Sequence, residues 1–306
     1  MRTYSLYGLN LASDFPFAHR LGAGTGASDL TFSETLHPPA LAGRGFRLYS
    51  SPWRDETGES VAHLDRFPTA EVFRFPATAD FYLEPGRIQG HLLDPDRRDQ
   101  MELRLLGPVL AYSLERLGLP ALHASAVCLD AGGAVGFLAP SGGGKSSLAA
   151  ALLRAGAELL TDDVLPIEEN GGTFLARPGF PQMRLEPDTA SLLGPTDGLL
   201  PITPDDTKLH VTAAAFRDIP IPLAGLYLLE RRPGPPQILS LSRREAVIEL
   251  VRHSYSPYLV EAAGLQPRRL DLFARLVRQV PVRRLLCPDG LEHLPRVADA
   301  VLERSV

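Results

Sequence analysis

Apolar and polar residues alternate over 4–11 and again over 72–75, the period of two expected of a half-buried strand. A further pair of alternating runs, 80–83 and 87–92, flanks Pro85-Gly86 and reads as a hairpin. Between these runs the stretch 51–65 is polar and is expected as loop. Residues 1–98 are therefore predicted to form a β-rich N-terminal domain, and they contain no recognisable chemical motif.

From residue 98 the period changes. Met101, Leu105, Val109, Leu110, Leu114 and Leu117 fall at helical spacing, with Gly118 as a stop. Two short strands over 121–129 and 134–139 follow, joined by a turn at Ala131-Gly132-Gly133. A run of glycines leads into a helix over 145–154, and a strand over 158–161 runs into Asp162-Asp163. A hairpin over 164–168 and 173–176 turns at Asn170-Gly171-Gly172. Further strands are expected over 223–229, 238–241 and 280–287, and helices over 244–253, 268–277 and 291–302. The order strand, loop, helix, strand from residue 134 predicts an α/β domain spanning 99–306.

Composition narrows the classes. A hydrophobic fraction of 44% with 22% charged residues is that of a soluble globular protein. A net charge of −5 gives no electrostatic case for nucleic acid or an anionic membrane as partner. The apolar runs are strand-length and broken by Gly, Pro or charge, too short to span a bilayer, and the first residues lack the apolar core of a secretory signal. The two cysteines, Cys128 and Cys287, each follow apolar strand-like residues and are expected as buried, reduced thiols in a cytoplasmic protein. No Cys/His zinc pattern is present.

The glycine run carries the chemistry. Binding a triphosphate requires backbone N–H groups converging on the phosphates, which only a loop nearly free of side chains permits. Such a loop opens a helix, whose N-terminal amides and dipole add attraction for anions. A lysine there meets the β/γ-phosphates, and the hydroxyl beside it ligates Mg²⁺. Ser141-Gly142-Gly143-Gly144-Lys145-Ser146-Ser147, after an apolar strand and before a helix, supplies each part and predicts binding of ATP with Mg²⁺. The tripeptide Gly-Lys-Ser/Thr arises by chance in roughly one chain in ten of this length, so the strand, the helix and the acidic pair downstream decide. Ala139 stands where the usual pattern has glycine, and a positive φ there would cost about 1 kcal/mol.

Asp162 and Asp163 are expected at the end of a strand parallel to the loop strand, close to the phosphates. Neighbours at a strand end point in opposite directions, so one can hold Mg²⁺ with Ser146 while the other faces a hydroxyl acceptor as base. The residues alone leave open which does which. His123 lies on the preceding strand; the other seven histidines stand in no motif and are read as structural.

The stretch 122–164 resembles the core of HPr kinase/phosphorylase, the bacterial protein-serine kinase. The features that carry the likeness are His123-Ala124, the strand over 135–139, Ser141-Gly142-Gly143-Gly144-Lys145-Ser146, Gly156 and Asp162-Asp163. The resemblance implies a P-loop kinase core of the HPr kinase and PEP carboxykinase type. It assigns phosphate and magnesium to Lys145 and Ser146, the proton acceptor to Asp163, and an active-site place to His123. Over more of its length the chain is similar to HPr-kinase-like proteins encoded beside peptide-modifying enzymes, including those that phosphorylate lasso-peptide precursors on serine. Shared with them are Leu6-Tyr7-Gly8-Leu9, the Leu122-His123-Ala124-Ser125 strand, the segment from Pro178 to Asp188 and a lysine, Lys208. Arg184 in that segment and Lys208 are cations that could meet the γ-phosphate, or surface ion-pair partners. Ala139 and Ala124 depart from true HPr kinases, and no Pro-x-Arg-Pro-Gly-Arg-Asn-like loop is found, so neither phosphorylase activity nor HPr as substrate is expected.

The expected function is an ATP- and Mg²⁺-dependent kinase acting on a serine of a peptide or protein, such as a ribosomally made precursor peptide. A sugar or polyol kinase of the same fold and a non-catalytic ATP-binding sensor or assembly factor remain alternatives. HPr kinases are hexamers, and the resemblance leaves a homo-oligomer open.

Overall fold

The alternating run at the N-terminus folds as two strands, β1 (Arg2–Leu6) and β2 (Leu9–Ser13), because Tyr7 and Gly8 both take positive φ and turn the chain between them. The computed structural model describes residues 1–130, 132–196, 199, 201 and 207–305. Ala131 of the expected turn lies outside the described residues. Seven more strands complete a sheet: β3 (Gly22–Ala23), β4 (Leu30–Thr35), β5 (Phe46–Ser50), β6 (His63–Arg66), β7 (Glu71–Phe75), β8 (Ala79–Glu84) and β9 (Arg87–Leu92). Their order is β3-β1-β2-β4-β9-β8-β7-β6-β5, with β8 and β9 forming the hairpin around Pro85-Gly86.

The polar stretch expected as loop to residue 65 becomes strand at His63. Its polarity misleads because Asp65 is only 9% exposed, neutralised by Arg47 on β5 and Arg74 on β7, while Leu64 beside it is fully buried. The helical stretch is three pieces: α1 (Arg98–Arg104), a π-helical turn (Leu105–Val109) and α2 (Leu110–Leu117). Pro108 sits inside the π turn, where its missing N–H removes a helical hydrogen bond.

By contacts the chain divides into one unit of residues 1–117 with 256–267 and a second of 118–255 with residues from 268 onward. The helices of 98–117 thus fall with the N-terminal strands, not with the following region as the 98/99 boundary supposed. Long-range hydrogen bonds hold them there: the Tyr7 hydroxyl donates to the Leu106 carbonyl at 2.8 Å, and the Tyr112 hydroxyl to Glu71 at 2.8 Å.

The second unit begins with β10 (Ala121–Cys128), β11 (Ala134–Leu138), α3 (Lys145–Arg154), β12 (Glu158–Thr161), β13 (Val164–Asn170) and β14 (Thr173–Ala176). It continues with β15 (Gln182–Leu185), α4 (Pro187–Ala190), β16 (Leu209–Thr212), β17 (Ile221–Arg231), β18 (Gln237–Ser240) and α5 (Arg243–Arg252). The chain then enters the first unit with α6 (Pro257–Ala262), and α7 (Gln266–Gln279), β19 (Val282–Cys287) and α8 (Leu294–Ser305) follow.

β10 runs antiparallel to both β11 and β12, while β11, β17 and β19 are mutually parallel. So β11, β12, β17 and β19 all point the same way and end on one edge of the sheet. Val135, Phe137, Tyr227 and Leu285 pack with α3 and α8 on one face; Leu138, Leu226 and Leu228 pack with α5 and α7 on the other. Covered on both sides, β11 is buried at every residue, which explains its unbroken apolar run. Cys128 and Cys287 are buried, free thiols. Among the described residues no helix is long and apolar enough to cross a membrane.

Candidate functional site

The carboxyl edge of the parallel strands is where an open α/β sheet has room for a ligand. The glycine-rich loop leaves β11 there and turns directly into α3. Gly142 and Gly144 take positive φ (76° and 90°), which glycine adopts without strain. Gly143 is needed for space: a β-carbon there would lie 2.5 Å from the Ala139 methyl and 2.9 Å from the Pro140 carbonyl. Ala139 itself is buried and has no positive φ, so the strain expected from an alanine at that position is absent. Gly144 caps α3 with no side-chain hydrogen bond, and the first turn holds no acidic residue.

Lys145 is 6% exposed. Its ammonium donates to the carbonyls of Ala139 (3.0 Å) and Pro140 (3.3 Å) and to His123 Nε2 at 3.0 Å. Burial pushes its pKa down, and the charges of Asp163 and Asp162 oppose that shift only in part.

The acidic pair follows directly on the end of β12, which points the same way as β11, as the sequence suggested, and the chain resumes as β13 at once. β12 and β13 follow one another along the same neighbour, β10, and Asp162-Asp163 is the break between them. Asp162 faces the loop: its Oδ1 accepts from Ser146 Oγ at 2.8 Å and from Ser125 Oγ, and its Oδ2 accepts from the Arg184 backbone N–H at 3.1 Å. Asp163 takes φ +79°, a left-handed conformation that costs a non-glycine residue about 1–3 kcal/mol. Register explains its neighbours, since His123 pairs with Val164 across β10 and β13. His123 Nδ1 lies 3.0 Å from Asp163 Oδ1, and the Tyr255 hydroxyl donates to Asp163 Oδ2 at 3.1 Å. Burial raises the Asp163 carboxyl, but the His123 hydrogen bond, the charge of Arg184 and the Tyr255 hydroxyl outweigh it and hold the pKa below the usual carboxylate value.

Every site residue singled out in the sequence lines one cavity of about 170 Å³: His123, residues 141–147, Asp162, Asp163, Arg184 and Lys208. Ser147 also lies within reach of the Thr189 hydroxyl at 3.4 Å. Sequence reasoning missed Glu186, which lines the same cavity, and both Ser125 and Tyr255. A signal existed for Ser125, two residues beyond His123 and so on the same face of β10. None existed for Tyr255, 92 positions from its partner. The first unit has a larger cavity, about 380 Å³, but the carboxylate on its wall, Glu71, is bonded to Arg66, Arg116 and Tyr112 of the same unit.

No family model matches the chain, and no curated protein matches it in sequence. Among solved structures, the HPr(Ser) kinase/phosphatase from Coxiella burnetii matches at 15% identity over 60% of this chain and 93% of that one, with a TM-score of 0.32. So loose a likeness carries no weight for the site, whose chemistry rests on its own residues.

Proposed function

We propose that the chain is an ATP- and Mg²⁺-dependent phosphotransferase that passes the γ-phosphoryl group to a hydroxyl, with a serine of a peptide or protein as acceptor. One observation carries the reading: the helix-opening loop with Lys145 and Ser146 shares a cavity with two adjacent carboxylates that face different partners. Nucleotide binding alone needs the loop and a metal anchor; it does not need a second carboxylate oriented by a histidine and a tyrosine.

The uncapped amides at the start of α3 and the Lys145 ammonium receive the phosphates. Lysine gives up its loop carbonyls and His123 to do so. Ser146 Oγ and Asp162 Oδ1, hard oxygen donors 2.8 Å apart, suit Mg²⁺ and would hold it. When bound, the metal neutralises charge on the β- and γ-phosphates. The cavity wall carries three cations (Lys145, Arg184, Lys208) and three carboxylates (Asp162, Asp163, Glu186), so a divalent ion leaves it with an excess of two positive charges to meet a polyphosphate.

Asp163, held ionised, accepts the acceptor hydroxyl's proton as that oxygen bonds to the γ-phosphorus and ADP leaves with the bonding electrons. The choice of serine over a small alcohol comes from the sequence resemblance.

The test is transfer of label from γ-labelled ATP, first to peptides encoded beside the gene and then to sugars and polyols. Labelled peptide serine is the expected result. Label on a polyol makes the chain a small-molecule kinase, and tight ATP binding without turnover makes it a sensor. Lys145→Ala is expected to abolish transfer. Asp163→Asn is expected to keep ATP affinity within about 2-fold while kcat falls by about 10²–10⁴; near-normal turnover in that variant removes Asp163 as base.

A further inference from the structure

We infer that Tyr255 is a positioning residue for the transfer step, acting through the Asp163 carboxylate; the inference rests on the phosphotransferase reading above. Asp163 cannot be aimed by its strand, because it sits in the break between β12 and β13 with φ +79°. Its carboxylate is aimed by what it bonds to. His123 Nδ1 takes Oδ1 at 3.0 Å and the Tyr255 hydroxyl takes Oδ2 at 3.1 Å. Two donors on two different oxygens fix the carboxylate plane. Each oxygen keeps a second lone pair, one of which can receive the acceptor proton.

The tyrosine is itself held firmly. Residues 253–255 lie along the start of β10 as an added short pairing: His123 N–H donates to the His253 carbonyl at 2.8 Å, Leu122 bridges to Ser254, and Tyr255 N–H donates to the Ala121 carbonyl at 2.8 Å. Ser254 Oγ ties the segment back to α5 through the Leu250 carbonyl at 2.8 Å. The Tyr255 ring stands edge-on to His123, with centroids 5.7 Å apart and planes at 76°. One aromatic side chain therefore contacts both the carboxylate and the imidazole that orients it. It closes a chain of contacts running Lys145, His123, Asp163, Tyr255. Tyr255 is also the last residue of the second unit before the chain enters the first.

The deciding variant is Tyr255→Phe, which keeps the ring against His123 and removes only the hydroxyl. The expected result is a 10- to 100-fold fall in kcat, with KM for ATP, ATP affinity and thermal midpoint unchanged. Measured in single-turnover mode in an Asp163→Asn background, Tyr255→Phe is expected to cost nothing further, because the carboxylate it positions is gone. Unchanged kcat in Tyr255→Phe overturns the inference. So does an equal loss in the Asp163→Asn background, which makes the hydroxyl structural or a direct substrate contact. Failure of the parent reading looks different, since the wild-type chain then transfers label to no acceptor, and the inference falls with it.

Discussion

At the scale of single residues, the three loop glycines answer two different demands. Gly142 and Gly144 supply positive φ, while Gly143 supplies room beside Ala139. Gly143→Ala puts a methyl against a buried methyl and a backbone carbonyl, neither of which can swing aside. ATP affinity is expected to fall at least about 10-fold, or about 1.4 kcal/mol, by calorimetry, with the fold retained. Ala139 had looked like a defect in the pattern; in place, it is the wall that requires glycine at 143. The loop chemistry was legible because its parts are consecutive in the chain. Ser125 left only the signal of its spacing from His123, and Tyr255 left none, because its role depends on which segment lies beside which strand.

At the scale of elements, the periodicity of the second unit carried over well: the helix expected over 145–154 is α3, and the strand expected over 280–287 contains β19. The loop expected over 51–65 holds to residue 62, and the misreading at 63–65 has the opposite cause, a carboxylate buried between two arginines of neighbouring strands. α5 shows how an element can brace the site from a distance. Its N-terminus is a capping box, with Ser242 Oγ accepting from the Glu245 N–H at 3.3 Å and Glu245 accepting from the Ser242 N–H at 2.9 Å. Its C-terminus delivers residues 253–255 to β10. Ser242→Ala is expected to lower unfolding free energy by about 1 kcal/mol in a denaturant titration, with ATP affinity unchanged because the cap lies at the far end of the helix from Tyr255.

At the scale of the whole molecule, burial leaves a signature in the pH dependence of stability. Burial pushes the Cys128 thiol from its ordinary 9.0 up to about 11, and raises Cys287 as well. The folded chain therefore keeps protons that the unfolded chain releases, so this contribution is fully present below about pH 9 and is lost as pH rises through the folded value. The denaturation midpoint is expected to decline between pH 9 and 11, less steeply in Cys128→Ala, while native protein at pH 8 resists thiol alkylation. An equal slope in Cys128→Ala contradicts this account.

By itself the sequence determined the local chemistry: a strand, a nearly side-chain-free loop, a lysine and a hydroxyl on a helix start, and two carboxylates downstream. These follow from neighbouring residues, whose geometry is set by backbone conformation within a few positions. Only the tertiary structure decided that Asp162 meets Ser146 and Ser125, that Asp163 meets His123 and Tyr255, and that the helices of 98–117 belong with the N-terminal sheet. Those outcomes depend on strand register and on which faces find partners, and such pairings join residues up to 99 positions apart that no local pattern links.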